Sequence, residues 1–227
     1  PKRDWSSDVC SSDLNVGGPA DILVFPTTEE ELIWIDQIAK QHQVPMTVIG
    51  TGTNLLVVDS GIRGIVISLA HAFQEIEQIP HSPENRVWVR CGGGVLKPQL
   101  LEWAIHKGLT GLEFSSGVPG TIGGGIYMNA GTKYGCYGDI LKELRFYDFK
   151  NGFKQLKRDE LHFSYRESEV RNSLVIWATF ELKYGNAKDI RAEVDRIIQE
   201  RADKQPLDYP SCGSTFKNGP KIGRAHV

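Results

Sequence analysis

The positions of apolar residues along the chain predict a series of short strands. Apolar or alternating runs of four to nine residues, bounded by glycine, proline or polar residues, are typical of strands. These runs are residues 21–26 (DILVFP), 46–50 (MTVIG), 55–58 (LLVV), 65–69 (IVISL), 86–90 (RVWVR), 141–149 (LKELRFYDF) and 174–182 (LVIWATFEL). Asn151-Gly152 follows the sixth run and indicates a hairpin turn.

Three other segments have the apolar spacing and the end signals of helices. Thr27 and Glu30 form a capping-box pattern that opens a helix continuing to about residue 43. A second helix is predicted over 97–106, with Gly108 after its C-terminal end. A third is predicted over 187–201, with four apolar residues on one face. These residues are Ile190, Val194, Ile197 and Ile198.

The order of these elements predicts an α+β fold with two lobes. Residues 15–70 form a βαββ-type unit, which we predict as the first lobe. A polar stretch over 71–85 separates it from later strands, and we predict residues 71–186 as the second lobe. The sequence contains no internal repeats and no low-complexity segments.

Composition and charge exclude several classes of partner. The 227 residues are 40% hydrophobic and 24% charged, as in ordinary soluble proteins, and the formal net charge is -2. Because the charges are interspersed, no basic stripe is available for nucleic-acid phosphates. No apolar run approaches the roughly 20 residues that span a bilayer. We therefore expect a cytoplasmic protein that binds neither nucleic acid nor membrane.

The cysteines and histidines predict neither disulfides nor a metal site. Cys10, Cys91, Cys136 and Cys212 have no metal-ligand or disulfide-framework spacing, so free thiols in a reducing compartment are expected. The six histidines also have no ligand spacing. We predict no metal.

Both ends of the sequence are expected to be non-native. If residues 8–13 (DVCSSD) are written as GACGTGTGCTCTTCCGAT, the reverse complement translates as IGRAHV, which is residues 222–227. One DNA tag read on opposite strands, resembling a sequencing-library adapter, accounts for both segments. Residues 1–14 and 222–227 are therefore left out of the fold prediction.

Two glycine-rich loops are the main indication of chemistry. The first glycine loop, residues 50–54 (GTGTN), follows a predicted strand, and residues 111–131 (GLEFSSGVPGTIGGGIYMNAG) contain seven glycines. Glycine allows backbone N–H groups to approach an anion closely, which suits a pyrophosphate. A strand is predicted after the first loop, where a Rossmann fold or a P-loop requires a helix. The alternative for either loop alone is an ordinary tight turn.

An ordered set of motifs resembles the UDP-N-acetylenolpyruvoylglucosamine reductases (the MurB family), flavoenzymes of peptidoglycan synthesis. The resemblance covers residues 15–221. Its motifs are NVGGPAD at 15–21, GTGTNLL at 50–56, the glycine-rich segment 111–131, SYRES at 164–168 and RADKQPLDYPSCGSTFKN at 201–218. Any one of these motifs is weak, whereas the set in this order is specific.

The resemblance implies a fold and a reaction. The fold is a two-lobed FAD-binding unit of the vanillyl-alcohol-oxidase (PCMH) type, followed by a substrate-binding domain of which only the start, residues 187–221, is expected here. The reaction transfers a hydride from NADPH to FAD, and then to the enolpyruvyl group of a sugar-nucleotide substrate. The product is UDP-N-acetylmuramate, and the flavin supplies the hydride chemistry.

The resemblance also implies a set of site residues. Arg166 matches the cation that stabilises the enolate formed by hydride addition, and Ser214 matches its proton donor. Lys204 and Asn218 match positions that handle the substrate. The residues implied to bind the cofactor are Gly50, Thr51, Gly52, Thr53, Asn54, Ser116, Gly117, Pro119, Gly120, Thr121, Gly123, Gly124 and Asn129.

Departures from the family pattern keep alternatives open. Thr53 replaces the more usual serine but keeps a hydroxyl, and a glutamate that assists proton transfer near the family's C-terminus has no counterpart. The chain is therefore either a fragment of the reductase or an FAD-binding module without turnover. A different flavin-dependent oxidase is disfavoured, because the motifs at 164–168 and 210–218 lie outside the flavin loops. The oligomeric state is not predicted.

Overall fold

A computed structural model describes residues 17–79 and 85–205. The helices are α1 (Glu29–Gln41), α2 (Lys97–His106), α3 (Ile122–Tyr127), α4 (Tyr137–Ile140) and α5 (Ala187–Ala202). The strands are β1 (Ala20–Val24), β2 (Met46–Ile49), β3 (Ile62–Ser68), β4 (Ile76–Ile79), β5 (Arg86–Gly92), β6 (Leu109–Thr110), β7 (Gly131–Thr132), β8 (Gly135–Cys136), β9 (Leu141–Asp148), β10 (Gly152–Lys157), β11 (Phe163–Ser164), β12 (Glu167–Ser168) and β13 (Ser173–Tyr184).

The first lobe is a three-stranded parallel sheet with strand order β1-β3-β2. Parallel neighbours require a crossover connection of a dozen or more residues, and residues 50–61 form this connection between β2 and β3. The strand predicted over 55–58 is therefore wrong: these residues belong to the crossover and lie outside the sheet. Leu56 and Val58 are accordingly exposed by 73% and 64%.

The second lobe is built on an antiparallel sheet with strand order β10-β9-β13-β5-β4. The longest strand, β13, lies at its centre between β9 and β5. Strand β4 lies in the stretch over 71–85 that was predicted to be a polar separator. The second lobe therefore begins with a strand that was not predicted, because half of its residues are polar. Helix α2 has the predicted bounds, and Gly108 follows it with φ of +64°.

Two details of the predicted helices are corrected. The side chain that caps α1 is that of Thr28, which accepts a hydrogen bond from the Glu31 N–H at 3.2 Å, so the cap lies one residue later than predicted. Thr27 instead donates its N–H and hydroxyl to the Glu31 carboxylate. In α5, Ile198 is 45% exposed, because three positions spaced by four and three residues already fill the buried face. These positions are Ile190, Val194 and Ile197.

The two lobes share a core and two polar contacts. Apolar residues of α1 and β3 pack with Tyr147, Leu174 and Ile176 of the second-lobe sheet. The Tyr147 hydroxyl donates to buried Asp36 of α1 at 2.5 Å. Arg145 donates two hydrogen bonds to Glu29, at 2.8 and 2.7 Å. A mixed α+β architecture of two joined lobes results, as predicted.

Helix α5 packs against the second lobe. Ile190 and Val194 lie in the same hydrophobic cluster as the core of that lobe. Helix α5, where the predicted substrate-binding segment begins, thus buries one face in the second-lobe core. Within the described part of the chain, no helix combines the length and the apolar character needed to cross a membrane.

Candidate active site

The fold brings the two glycine loops into contact. We call residues 117–125, the central part of the glycine-rich segment, the second glycine loop. A methyl group built at Gly50 would lie 2.6 Å from the Thr121 hydroxyl oxygen, and one built at Gly120 would lie 2.9 Å from the Thr53 hydroxyl oxygen. Side chains at either glycine would push the loops apart, so glycine is needed here for close approach.

The first glycine loop places a series of small and hydroxyl residues at this contact. Gly52 is buried and has φ of +76°, a conformation that favours glycine. Thr51 and Thr53 are half-buried, and Asn54 is exposed. The loop therefore combines glycine backbone with half-buried hydroxyl groups beside the second lobe.

The second glycine loop is fastened to the strand end and turn before α2. Lys97 N–H donates to the Gly120 carbonyl at 2.9 Å, and the N–H groups of Ile122 and Gly123 donate to the carbonyls of residues 95 and 93, each at 2.8 Å. Thr121 caps α3 by accepting from the Gly124 N–H at 3.2 Å. These bonds fix the loop backbone before any ligand binds.

Two consecutive glycines of this loop face opposite directions. A methyl group at Gly125, which is buried, would lie 3.0 Å from both the Lys97 side chain and the Tyr137 ring. Gly124 is exposed, and a methyl group there would meet only the Thr121 hydroxyl oxygen within 4 Å, at 3.4 Å. Gly117, Pro119 and Gly124 form the exposed edge of the loop, where a ligand can reach its backbone.

A buried cation lies beneath the second glycine loop. Lys97 is 6% exposed, and its Nζ donates to the Pro119 carbonyl oxygen at 2.8 Å. Burial lowers the pKa of Lys97 to about 8, and the nearby positive charge of Arg166 acts in the same direction. The two cations are thus close enough to repel each other.

Arg166 stands on a strained turn at the edge of the site. It is the second residue of the two-residue connection between β11 and β12, and its φ is +58°, which is uncommon for residues other than glycine. Its Nη1 donates to the Gly131 carbonyl at 3.0 Å, and the guanidinium lies 5.3 Å from the Tyr165 ring. Such strained positions cluster at functional sites.

Asn129 connects the glycine-rich segment with the hairpin of Arg166. Its side-chain N–H donates to the Ser164 carbonyl at 2.9 Å, and its carbonyl oxygen accepts from the Gly138 N–H at 3.0 Å. Both ends of the amide are bonded to backbone, so the side chain positions the hairpin. Ser116 is likewise buried, and its hydroxyl donates to the Glu113 carbonyl at 2.6 Å.

Lys204 is linked to the β7–β8 hairpin through Glu200. Its Nζ donates to Glu200 at 2.7 Å, and Glu200 also pairs with Lys133 of that hairpin. The side chain of Arg201 lies beside Gly117, so the end of α5 borders the second glycine loop. Ser214 and Asn218, which were predicted as proton donor and substrate ligand, lie outside the described residues.

Comparison with known proteins agrees with this geometry. Residues 20–153 match the family described as FAD binding domain. The UDP-N-acetylenolpyruvoylglucosamine reductase of Latilactobacillus sakei is 42% identical over 217 residues, a match that covers 92% of this chain and 69% of the relative. The chain belongs to the UDP-N-acetylenolpyruvoylglucosamine reductase family. It spans about two thirds of the length of the family members that it matches.

Solved structures show the same fold. The UDP-N-acetylenolpyruvylglucosamine reductase (MurB) of Thermus caldophilus is 32% identical, with a TM-score of 0.77 over 95% of this chain and 74% of that one. A VAO-type flavoprotein of Myceliophthora thermophila is 15% identical, with a TM-score of 0.59 over 71% of this chain and 31% of that one. The latter likeness concerns the fold alone. The predicted two-lobed FAD-binding fold of the vanillyl-alcohol-oxidase type is confirmed.

The residues of this reductase-family chain fit FAD. Diphosphate is an anion, and the two loops offer glycine backbone and hydroxyl groups, with the buried cation Lys97 bonded to the second loop. The space between the two glycine loops is also narrow, since methyl groups at Gly50 or Gly120 would collide with the opposite loop. The prediction from sequence left out Lys97. Its signal was a lysine directly before a proline at the start of a predicted helix, three residues after a glycine triplet.

Proposed function

We propose that the chain is part of an NADPH-dependent flavoenzyme that reduces the enolpyruvyl group of UDP-N-acetylglucosamine-enolpyruvate to UDP-N-acetylmuramate in the cytoplasm. The observation that carries the proposal is the position of Arg166. A strained hairpin holds this cation beside the glycine-rich segment that fits FAD, and the buried amide of Asn129 fixes the hairpin to that segment. Family membership gives the reaction its substrate class.

The role of Arg166 follows from the charge that develops during the reduction. FAD, when bound, carries the hydride from NADPH to the substrate. Hydride addition leaves negative charge on the carbon next to the substrate carboxylate and on the carboxylate oxygens. A guanidinium can hold a carboxylate through two parallel hydrogen bonds and stabilise this charge as it forms. Because its turn is already set, Arg166 requires little rearrangement to do so.

A proton must also reach the carbanionic carbon. We assign this step to the Ser214 hydroxyl, which can donate to a strongly basic enolate when a neighbour polarises it. Lys204 and Asn218 are assigned to the substrate and to the orientation of the proton donor. Lys204 is exposed at the end of α5 and needs only to exchange its surface pair with Glu200 for a phosphate or sugar contact.

Two half-reactions of the purified chain test the proposal. We expect a yellow, flavin-bound protein that oxidises NADPH, followed by reoxidation of the flavin when the enolpyruvyl substrate is added. Ser214→Ala should leave flavin reduction by NADPH unchanged and slow reoxidation by the substrate, because only the second step uses the proton. Equal slowing of both half-reactions contradicts the role of Ser214.

The same sample separates catalysis from binding alone. A chain that binds FAD but does not transfer hydride to the enolpyruvyl substrate is the flavin-binding module without turnover. A chain that turns over other electron acceptors but not this substrate contradicts the assigned specificity. An Arg166→Gln variant is the matched test of the site, since we expect normal flavin content and a large loss in the substrate half-reaction.

A further inference from the structure

Three groups from different parts of the fold converge between the glycine loops. The Lys97 Nζ would lie 3.4 Å from a methyl group built at Gly120, and the Thr53 hydroxyl oxygen would lie 2.9 Å from that same methyl group. Lys97 comes from the start of α2, Thr53 from the first loop and Gly120 from the second. An ammonium, a hydroxyl and glycine backbone are thus directed to one point of contact.

The charge of Lys97 has no counter-charge among the residues that the structure describes. Its ammonium donates to the neutral Pro119 carbonyl, and its charged neighbour is another cation, Arg166 of the β11–β12 hairpin. On the α4 side lies the ring of Tyr137, whose pKa burial raises well above its usual range, so that it stays neutral. A buried cation is costly unless an anion pairs with it.

We propose that Lys97 is a further binding residue of the cofactor site and supplies the charge that holds the diphosphate of FAD between the two glycine loops. The inference rests on the flavin site described above. An ammonium has three N–H donors, and Pro119 accepts one of them. The others are available to phosphate oxygens.

The surroundings favour the diphosphate over the flavin ring as the partner of Lys97. Hydroxyl groups and close-approach glycine backbone make an anion site, and the diphosphate is the charged portion of FAD. Arg166, by contrast, stands at the edge of the site on a hairpin. The two cations therefore have different roles: Lys97 binds the cofactor, and Arg166 binds the substrate.

ADP is the probe that isolates this contact, because it carries the diphosphate without the flavin ring. Calorimetry with flavin-free protein should show that Lys97→Met, which removes the charge at similar length, weakens binding of both ADP and FAD by about tenfold or more. Lys97→Arg should keep most of the affinity. Unchanged ADP affinity in Lys97→Met overturns the inference.

The dependence of binding on pH excludes a purely structural role. The pKa of Lys97 is about 8 in the ligand-free protein, and a bound anion raises it. Wild-type affinity for ADP should therefore fall from about pH 7 to about pH 10, with protons taken up on binding. Burial holds the pKa of Tyr137, whose ring lies beside the Lys97 side chain, well above its usual range, so that it stays neutral over these pH values. Lys97→Arg should show neither the fall nor the proton uptake.

The outcomes also distinguish a failure of the role proposed for Lys97 from a failure of the proposed flavin site. A lysine that only supports the Pro119 carbonyl predicts lower unfolding stability in Lys97→Met, with no proton uptake when the wild type binds ADP. If Lys97→Met does not fold, the wild-type proton uptake and the Lys97→Arg profile decide. A wild-type chain that binds neither FAD nor ADP contradicts both proposals, whereas normal ADP binding without proton uptake contradicts this one alone.

Discussion

The two glycine loops reach the same site by opposite constructions. The first belongs to the crossover between two parallel strands, and two of its bonds lie within the first lobe: the Leu55 N–H donates to the Gly52 carbonyl at 3.1 Å, and the Ser68 hydroxyl of β3 donates to the Gly50 carbonyl at 3.3 Å. The second is fastened by backbone bonds to the start of α2 and opens a capped helix. The difference indicates that the second glycine loop is held more firmly than the first.

Substitutions in the two loops should therefore affect different properties of the protein. Changes under the second loop should reduce the stability of the whole second lobe, since its anchors lie in the core between β5 and β13. Changes in the first loop should act mainly on cofactor affinity. Each of the following predictions tests one part of this difference.

The largest effect is expected at Gly93, which anchors the second loop. A methyl group there would overlap the Val175 carbonyl of β13, and that backbone cannot move without breaking the sheet. Gly93→Ala should cost about 4 kcal/mol or more, or prevent folding. Gly152→Ala is the control, because Gly152 has φ of +79° but no atom within 4 Å of an added methyl group. Its cost should be about 1–2 kcal/mol.

Urea unfolding of both variants measures the difference. If Gly93→Ala and Gly152→Ala unfold at similar urea concentrations, the anchor at Gly93 does not hold the second loop. The contrast between the two loops would then have no energetic basis.

A smaller effect on stability, but a clear one on the cofactor, is expected at Gly50. A methyl group at this position meets the Thr121 hydroxyl, a side chain that can rotate. Gly50→Ala should therefore destabilise by no more than about 1–3 kcal/mol and weaken FAD binding by about tenfold, because the loops must separate. Equilibrium dialysis with FAD measures the affinity.

A double variant shows whether the two loops act through this contact. Thr121→Ala alone removes the cap of α3 and should cost about 0.5–2 kcal/mol. If the loops touch as described, the losses of stability in Gly50→Ala and Thr121→Ala should be less than additive in the double variant. Full additivity would place the two residues apart.

Neighbouring glycines of the second loop give the sharpest comparison. Gly125→Ala crowds Lys97 and the Tyr137 ring and should destabilise by about 1–3 kcal/mol. A methyl group at Gly124 meets only the Thr121 hydroxyl oxygen, at an ordinary contact distance of 3.4 Å, so Gly124→Ala should leave stability unchanged or raise it by about 0.5–1 kcal/mol, while weakening FAD binding. The test is a measurement of unfolding and of FAD affinity in both variants. Loss of stability in Gly124→Ala, or normal FAD binding by it, contradicts the assigned faces.

Sequence patterns predicted the parts of the fold that local signals control. The bounds of α2 and the presence of strands β2, β3 and β13 follow from apolar runs and their flanking residues, whereas the pairing of these strands does not. The strand predicted at 55–58 was wrong because these four apolar residues have the composition of a strand, although they belong to a crossover connection. Strand β4 was missed because edge strands carry polar residues.

The sequence predicted which residues make up much of the candidate site, but not the role of each residue. Glycine and threonine positions followed from motif and resemblance, and the structure brings both loops together. That the Asn129 amide is bonded at both ends to backbone depends on a hairpin 35 residues further along the chain. The burial of Lys97 depends on the same long-range packing, so neither role is visible in the local sequence.

The smallest effect is expected at Glu200, which fastens the end of α5 to the β7–β8 hairpin that follows the second loop. The cations Lys133 and Lys204 and the Tyr134 hydroxyl lower the pKa of Glu200 well below its usual range. Its ionised form therefore stabilises the fold above the ordinary glutamate pKa of about 4.3. That contribution is lost as the pH falls through the lower pKa of the folded state.

Glu200→Gln should thus be slightly less stable than the wild type at about pH 6, and the difference should shrink towards about pH 3. The contact is exposed, so added salt should reduce the difference as well. Glu193→Gln is the matched control, since Glu193 pairs within α5 with Arg196 and not with the hairpin. The FAD affinity of the two variants tests the same contact. If Glu200→Gln and Glu193→Gln change FAD affinity equally, the end of α5 does not help to fix the second loop, and the backbone bonds to residues 93–97 alone hold that loop.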